Sequence, residues 1–213
     1  MICFTDRRDA GKRLAAKLTH YKNNPSANVL GIPRGGVVVA QEIARALDVP
    51  LDVFITRKLG APMNAELAIG AVASDGAVLL DQQLIQQLHI SPKFIEHERA
   101  KQMREMQRRL EMYRRGKPPL GLQNKIVILV DDGIATGATV FAALRALKNQ
   151  NPTRVILAVP VAPRQVLPQL RAACDELELL DAPEPFVAVG YFYQDFEQVA
   201  DEEVVRILSE AER

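Results

Sequence analysis

The sequence predicts an α/β fold, a mostly parallel central sheet flanked by helices on both faces, with a small hood and a helical insertion. Two observations carry this. Near-continuous apolar, β-branched runs alternate with stretches whose apolar residues recur three and four apart, as strands buried on both faces and their crossover helices require. The 213 residues are 48% hydrophobic and 25% charged, a globular composition able to bury a sizeable core. At roughly 100–200 residues per domain, the length predicts a single domain over 1–213. Its core is expected at approximately 26–80 and 120–182, with hood and insertion at approximately 1–25, 81–119 and 183–213.

The elements follow in order. Residues 28–32 read as the first core strand and 37–47 as an amphipathic helix; 51–56 read as the second strand. Residues 69–80 read as a hairpin, two short apolar runs about Ser74-Asp75-Gly76. Ser91-Pro92 opens a long helix, Ser as N-cap and Pro at the first helical position, that runs to Gly116 and is closed by Pro118-Pro119. Strands are expected at 125–130, 154–159 and 186–189, with helices at 138–147 and about 164–173.

Charge and cysteine content exclude several functions. Twenty-seven Lys+Arg against 26 Asp+Glu give a net charge of +1, which excludes a bulk polyanion binder. Cys3 and Cys174 cannot form a disulfide framework or a four-Cys zinc site, and point to a reducing cytoplasm. No apolar run reaches the ~18 residues of a membrane span, and the first residues lack a signal-peptide core. The long helix carries Lys93, Arg99, Lys101, Arg104, Arg108, Arg109, Arg114, Arg115 and Lys117 against Glu96, Glu98, Glu105 and Glu111. Its apolar positions, Phe94, Ile95, Met103, Met106, Leu110 and Tyr113, approach one stripe, so it reads as a solvated helix docked by one face. A polyanion-binding face is the alternative; nucleic acid is not the expected partner. The long helix and hairpin could also form the surface of a homodimer.

The sharpest motif is Ile128-Leu-Val-Asp131-Asp132-Gly-Ile-Ala135-Thr136-Gly137-Ala138-Thr139. A buried strand ends in adjacent carboxylates, and a Gly/Thr-rich turn then starts a helix. Free amides, the positive end of the helix dipole and two hydroxyls meet there, which makes an anion site. Paired carboxylates would repel such an anion unless they grip hydroxyls or a divalent cation. The chemistry therefore asks for a phosphorylated ligand with vicinal hydroxyls, such as ribose 5-phosphate. A Walker loop is excluded, because the spacing and its Lys are missing. Arg34-Gly35-Gly36, at the end of the first core strand, offers a guanidinium and two residues without Cβ, so backbone can approach an oxyanion. Arg57-Lys58, at the second strand's end, would be costly to desolvate without an anion.

Val-Asp-Asp-Gly-Ile-Ala-Thr-Gly-Ala-Thr resembles the phosphoribosyl pyrophosphate (PRPP) signature of the type I phosphoribosyltransferases, closest to its adenine-type form. Gly31-Ile-Pro-Arg34-Gly35-Gly36 is similar to the family's pyrophosphate loop, and Thr56-Arg57-Lys58-Leu-Gly-Ala-Pro62 to the start of its mobile catalytic loop. Phe186-Val187-Ala-Val-Gly-Tyr191 resembles a stretch of hypoxanthine-guanine phosphoribosyltransferases in which the aromatic stacks on the base and a following Asp, here Asp195, lies near the metal.

The resemblance implies Mg²⁺-dependent transfer of a 5-phosphoribosyl group from PRPP to a nucleobase-like acceptor, as in cytoplasmic nucleotide salvage. It assigns Asp131, Asp132, Lys58 and Arg34 to catalysis and Ala135, Thr136, Gly137, Ala138 and Thr139 to the 5-phosphate. Arg34, Gly35, Gly36, Arg57 and Lys58 take pyrophosphate; Phe186, Val187, Tyr191 and Glu66 take the base; Asp131, Asp132 and Asp195 take the metal. Ala135 stands where 6-oxopurine enzymes carry the Asp that handles a ring proton, which speaks against hypoxanthine or guanine. The insertion over 81–119 is also longer than the family's flexible loop. A PRPP- or nucleotide-sensing regulator on the same fold, with an RNA partner, is the alternative function. Phosphate-ester or pyrophosphate-transfer chemistry at the same site is a third.

Overall fold

The computed structural model describes residues 3–73, 76 and 78–211, without the side chains of 65 and 66. In chain order the elements are α1 (Arg7–Lys17), β1 (Ala27–Gly31), α2 (Gly35–Leu47), β2 (Leu51–Val53), β3 (Thr56–Ala61), β4 (Asn64–Ala73) and β5 (Val78–Leu80). After them come α3 (Gln82–Gln87), α4 (Pro92–Arg114), β6 (Ile126–Val130), α5 (Ala138–Lys148), β7 (Arg154–Val161), α6 (Leu167–Ala173), β8 (Glu176–Asp181) and α7 (Asp201–Glu210).

Five strands make a wholly parallel sheet in the order β2-β1-β6-β7-β8, as the alternating pattern predicts. Successive residues bury opposite faces. Leu30, Leu129 and Leu157 pack with Val140, Leu144 and Leu147 of α5, whereas Val29, Ile128 and Ile156 pack with α1 and α2. A third apolar cluster joins Leu59, Ile69 and Val72 of the smaller sheet to Met106, Leu110 and Tyr113 of α4 and to Val204 and Ile207 of α7. Among the described residues no helix is long and apolar enough to cross a membrane.

Four expectations are corrected. The second core strand stops at Val53: the Phe54 amide takes the carbonyl of Gly31 at 3.0 Å, and β1, which ends there, offers residues 55 and 56 nothing further to pair with. Residues 56–61, expected to start a mobile loop, are strand β3, paired antiparallel with β4 in a three-stranded sheet with β5. Leu59, fully buried under α4, ties it down. The strand expected at 186–189 is absent; irregular chain there leads into a 3-10 turn, Val189–Phe192. The fifth parallel strand is instead β8, whose Glu176 and Glu178 broke the apolar signature that a buried strand would show. As an edge strand it tolerates them: Glu176 accepts from the Tyr21 hydroxyl at 2.7 Å and Glu178 pairs with Lys17 at 3.0 Å. Burial and then that acceptor push the Tyr21 hydroxyl up to about 12.

The hairpin is present, with Val72 opposite Val78, although Ser74 and Asp75 of its turn lie outside the described residues. The long helix also forms as expected. Ser91 Oγ accepts from the Phe94 amide at 3.2 Å, and Arg115 closes the helix in a left-handed conformation.

Candidate functional site

The site is built by the register of the two central strands. Gly31 pairs with Val130, and the Ile32 amide donates to the Val130 carbonyl at 2.9 Å, so β1 and β6 end level. Their C-terminal extensions, Pro33-Arg34-Gly35-Gly36 and Asp131-Asp132, therefore lie side by side. Neighbouring β2 and β7 follow from β1 and β6 in opposite directions along the sheet. The crevice is thus a topological switch point, where open α/β sheets bind ligands.

Close approach explains both glycines. A Cβ on Gly35 would stand 1.9 Å from Oδ2 of Asp132, and one on Gly36 would stand 2.8 Å from Cα of Asp131 and from the Val130 carbonyl. The backbone at the start of α2 thus lies directly on the two carboxylates. Arg34, the N-cap residue of α2, is half-buried. Its guanidinium makes no hydrogen bond or ion pair among the described residues.

The two carboxylates are held differently. Oδ1 of Asp131 accepts the Asp132 amide at 2.9 Å. Burial, and then the adjacent Asp132 charge, push the Asp131 carboxyl well above the usual carboxylate range. Asp132 is fixed at both ends: its Oδ2 accepts Nε of Arg7 at 2.7 Å, and its carbonyl accepts the Tyr193 hydroxyl at 2.6 Å.

Beyond them the chain turns through Gly133 and Gly137, the latter at φ +82 as N-cap of α5. No side chain caps α5, and Ala135, Thr136, Ala138 and Thr139 are exposed around its start. This leaves an open ring of amides and hydroxyls at a positive helix end, suited to a phosphate. The Thr56 hydroxyl donates to the Thr139 carbonyl at 3.3 Å and docks β3 against this loop. Alternation along β3 then puts exposed Lys58 on the Thr56 side and Arg57 on the other. Arg57 is thereby turned away from the site assigned to it: its Nε donates to Oε1 of Gln102, on α4, at 2.9 Å.

The roof comes from both terminal segments. The Phe4 amide donates to the Phe192 carbonyl at 2.8 Å, and the Gln194 amide donates back to the Phe4 carbonyl at 2.8 Å. Phe186 packs on Phe192 with ring centroids 5.1 Å apart, while Val187 and Tyr191 are 66% and 72% exposed. Glu66 lies outside the described side chains. Asp195 is exposed, with Oδ1 accepting the Glu197 amide at 3.0 Å, and among the described residues no group of three or more His, Cys, Asp or Glu could hold a metal ion. Arg7 escaped the sequence reading altogether. Its signal was Asp6-Arg7-Arg8 at a helix start, where the dipole disfavours cations unless carboxylates meet them.

A concavity of about 840 Å³ lies elsewhere, where α2, α4 and α7 end, and is lined by Asp48, Pro50, Tyr113 and Glu210 among others. It shares no residue with the Asp131–Thr139 loop, so chemistry and not volume identifies the candidate site.

Two Mycobacterium tuberculosis proteins, from strains CDC 1551 and H37Rv, are provisionally described as phosphoribosyl transferases and are each 42% identical over 213 residues. The match covers 100% of this chain and 48% of theirs, so the chain spans about half their length. The crystal structure of TT1426 from Thermus thermophilus superposes with a TM-score of 0.85 at 43% identity, covering 98% of this chain and 99% of that one. A hypothetical protein from Neisseria gonorrhoeae with bound ppGpp shares the fold alone, with a TM-score of 0.50 at 17% identity over 100% of this chain and 97% of that one. The family model for the phosphoribosyl transferase domain matches residues 5–194, nine-tenths of the length, and the chain belongs to that family.

Proposed function

We propose that the protein transfers the 5-phosphoribosyl group of PRPP to a nitrogenous base and releases pyrophosphate, in the cytoplasm. One observation carries the reading: adjacent carboxylates at the end of β6 lie against Gly35-Gly36 at the end of β1, ahead of an uncapped helix start.

Breaking the bond between C1 and the leaving oxygen builds positive charge on the ribose and negative charge on pyrophosphate. Asp132, and Asp131 behind it, face the first; Arg34, Lys58 and the start of α2 face the second. Ala135 through Thr139 hold the 5-phosphate. Of the three carboxylates assigned to the metal, Asp132 already gives one oxygen to Nε of Arg7, and Asp195 gives one to the Glu197 amide. Mg²⁺ carried on the substrate's pyrophosphate would neutralise part of its charge beside Arg34 and Lys58.

Titration calorimetry should show saturable PRPP binding in the presence of Mg²⁺, and pyrophosphate should appear with one member of a base panel. No binding up to millimolar PRPP would remove the proposal; binding with silence toward all bases would favour the sensor. On α4, the helix that an RNA-binding sensor would use, four cations are paired within the helix. Arg108 and Arg109 pair with Glu105 at 2.9 and 3.0 Å, Arg99 with Glu96 at 3.4 Å and Lys101 with Glu98 at 3.8 Å. These are i,i+3 and i,i+4 pairs of a solvated helix face.

Arg57 supplies an internal control. Arg57→Met is expected to leave PRPP affinity unchanged and to cost about 1 kcal/mol of stability through the lost Gln102 contact. Weakened PRPP binding in a variant of wild-type stability would return Arg57 to the pyrophosphate site.

A further inference from the structure

Arg7 occupies a position that needs explaining. It is the first residue of α1, where the helix dipole opposes a cation, and its side chain is only 11% exposed. Three contacts compensate. Nε donates to Oδ2 of Asp132 at 2.7 Å, one terminal nitrogen donates to the Glu197 carbonyl at 2.8 Å, and the guanidinium lies 3.8 Å from the Phe196 ring centroid. The Phe196 ring packs in turn on Tyr193, whose hydroxyl holds the Asp132 carbonyl.

The contact is one-sided. Arg7 engages Oδ2 through Nε alone, without the two-pronged clamp that guanidinium and carboxylate often make, and beside Arg7 the carboxylate meets only the neighbouring Asp131 carboxyl among the described side chains. A carboxylate has acceptor sites on both oxygens, so one can orient the group while the other meets a ligand. The Arg7 guanidinium is held from two further sides, by the Phe196 face and the Glu197 carbonyl, which fixes its direction as well as its charge.

We propose that Arg7 is the positioning residue of Asp132: it takes one carboxylate oxygen and so aims the other at the ribose hydroxyls of PRPP. The proposal rests on reading Asp132 as the ribose contact. It gives the zipped terminal segments a function at the reaction centre, because Arg7 comes from one and its Phe196 and Glu197 supports from the other.

The test compares wild type, Arg7→Ala, Arg7→Lys, Asp132→Asn and the Arg7→Ala/Asp132→Asn double variant in kcat, KM for PRPP and melting temperature. Arg7→Ala should lower kcat about tenfold while KM moves by less than about threefold, the pattern of a contact that matters most in the transition state. Arg7→Lys should recover part of the loss, since it restores charge but not the planar donor. In the Asp132→Asn background Arg7→Ala should add nothing, because a residue acting through Asp132 has nothing left to position. A fully additive double variant, or wild-type kcat in a folded Arg7→Ala protein with only its melting temperature lowered, would overturn the proposal and leave Arg7 a tie for the roof. Failure of the underlying reading looks different: wild-type protein that neither binds PRPP nor releases pyrophosphate, or Asp132→Asn with wild-type kcat.

Discussion

Asp132→Asn is expected to lower kcat on the order of 10²–10³-fold, or about 2.7–4 kcal/mol, the usual cost of losing one preorganised electrostatic group. PRPP affinity should change by less than about tenfold. Asn keeps the shape and can still accept Nε of Arg7, and its main-chain carbonyl still receives the Tyr193 hydroxyl, so the loop should keep its geometry. The missing quantity is the negative charge beside the ribose. That charge matters little while PRPP is intact and most when the C1 bond stretches toward an oxocarbenium ion, so the loss should fall on kcat. Single-turnover rates measured beside calorimetric affinities separate the two. Equal losses in both would make Asp132 a ground-state clamp on the hydroxyls.

Thr136→Val is expected to weaken PRPP binding roughly ten- to a hundredfold, the equivalent of one hydrogen bond to a charged group at about 1.5–3 kcal/mol. The 5-phosphate is remote from the bond that breaks, so its contacts are nearly the same in ground and transition states, and KM should carry the change while kcat holds. A hydroxyl just before a helix start could instead serve as its cap. The fold excludes that role: the N-cap of α5 is Gly137, no side chain caps the helix, and Thr136 is exposed. The melting temperature should therefore stay close to wild type. A lowered melting temperature with unchanged PRPP affinity would contradict the phosphate assignment.

Much of this protein is legible one segment at a time. The central strands 27–31, 126–130 and 154–161, the helices over 35–47 and 138–148, and the Ser91-Pro92 start of the long helix all follow from apolar period, caps and breakers. So does the strand–turn–helix around Asp131-Asp132, because every part of it is consecutive in the chain. Edge strand β8 was not legible, because its glutamates sit where only a sheet margin tolerates them. Strand β3 was hidden as well: its Arg57-Lys58 reads as a loop until α4 is packed over Leu59 and Gln102 is set against Arg57.

Which residues could bind a phosphate and ribose hydroxyls is written in the chain itself, since that chemistry lies within the stretch from Asp131 to Thr139. Which side chains from elsewhere complete the site is settled by packing. Arg7 meets Asp132 across 125 positions and the Tyr193 hydroxyl reaches its carbonyl across 61, whereas Arg57 is carried off to Gln102. Hydrophobic period and turn chemistry report on neighbours three, four or two residues apart. Convergence depends instead on the level ends of β1 and β6 and on the pairing of the Phe4 and Tyr193 segments, contacts that exist only once the whole core has packed.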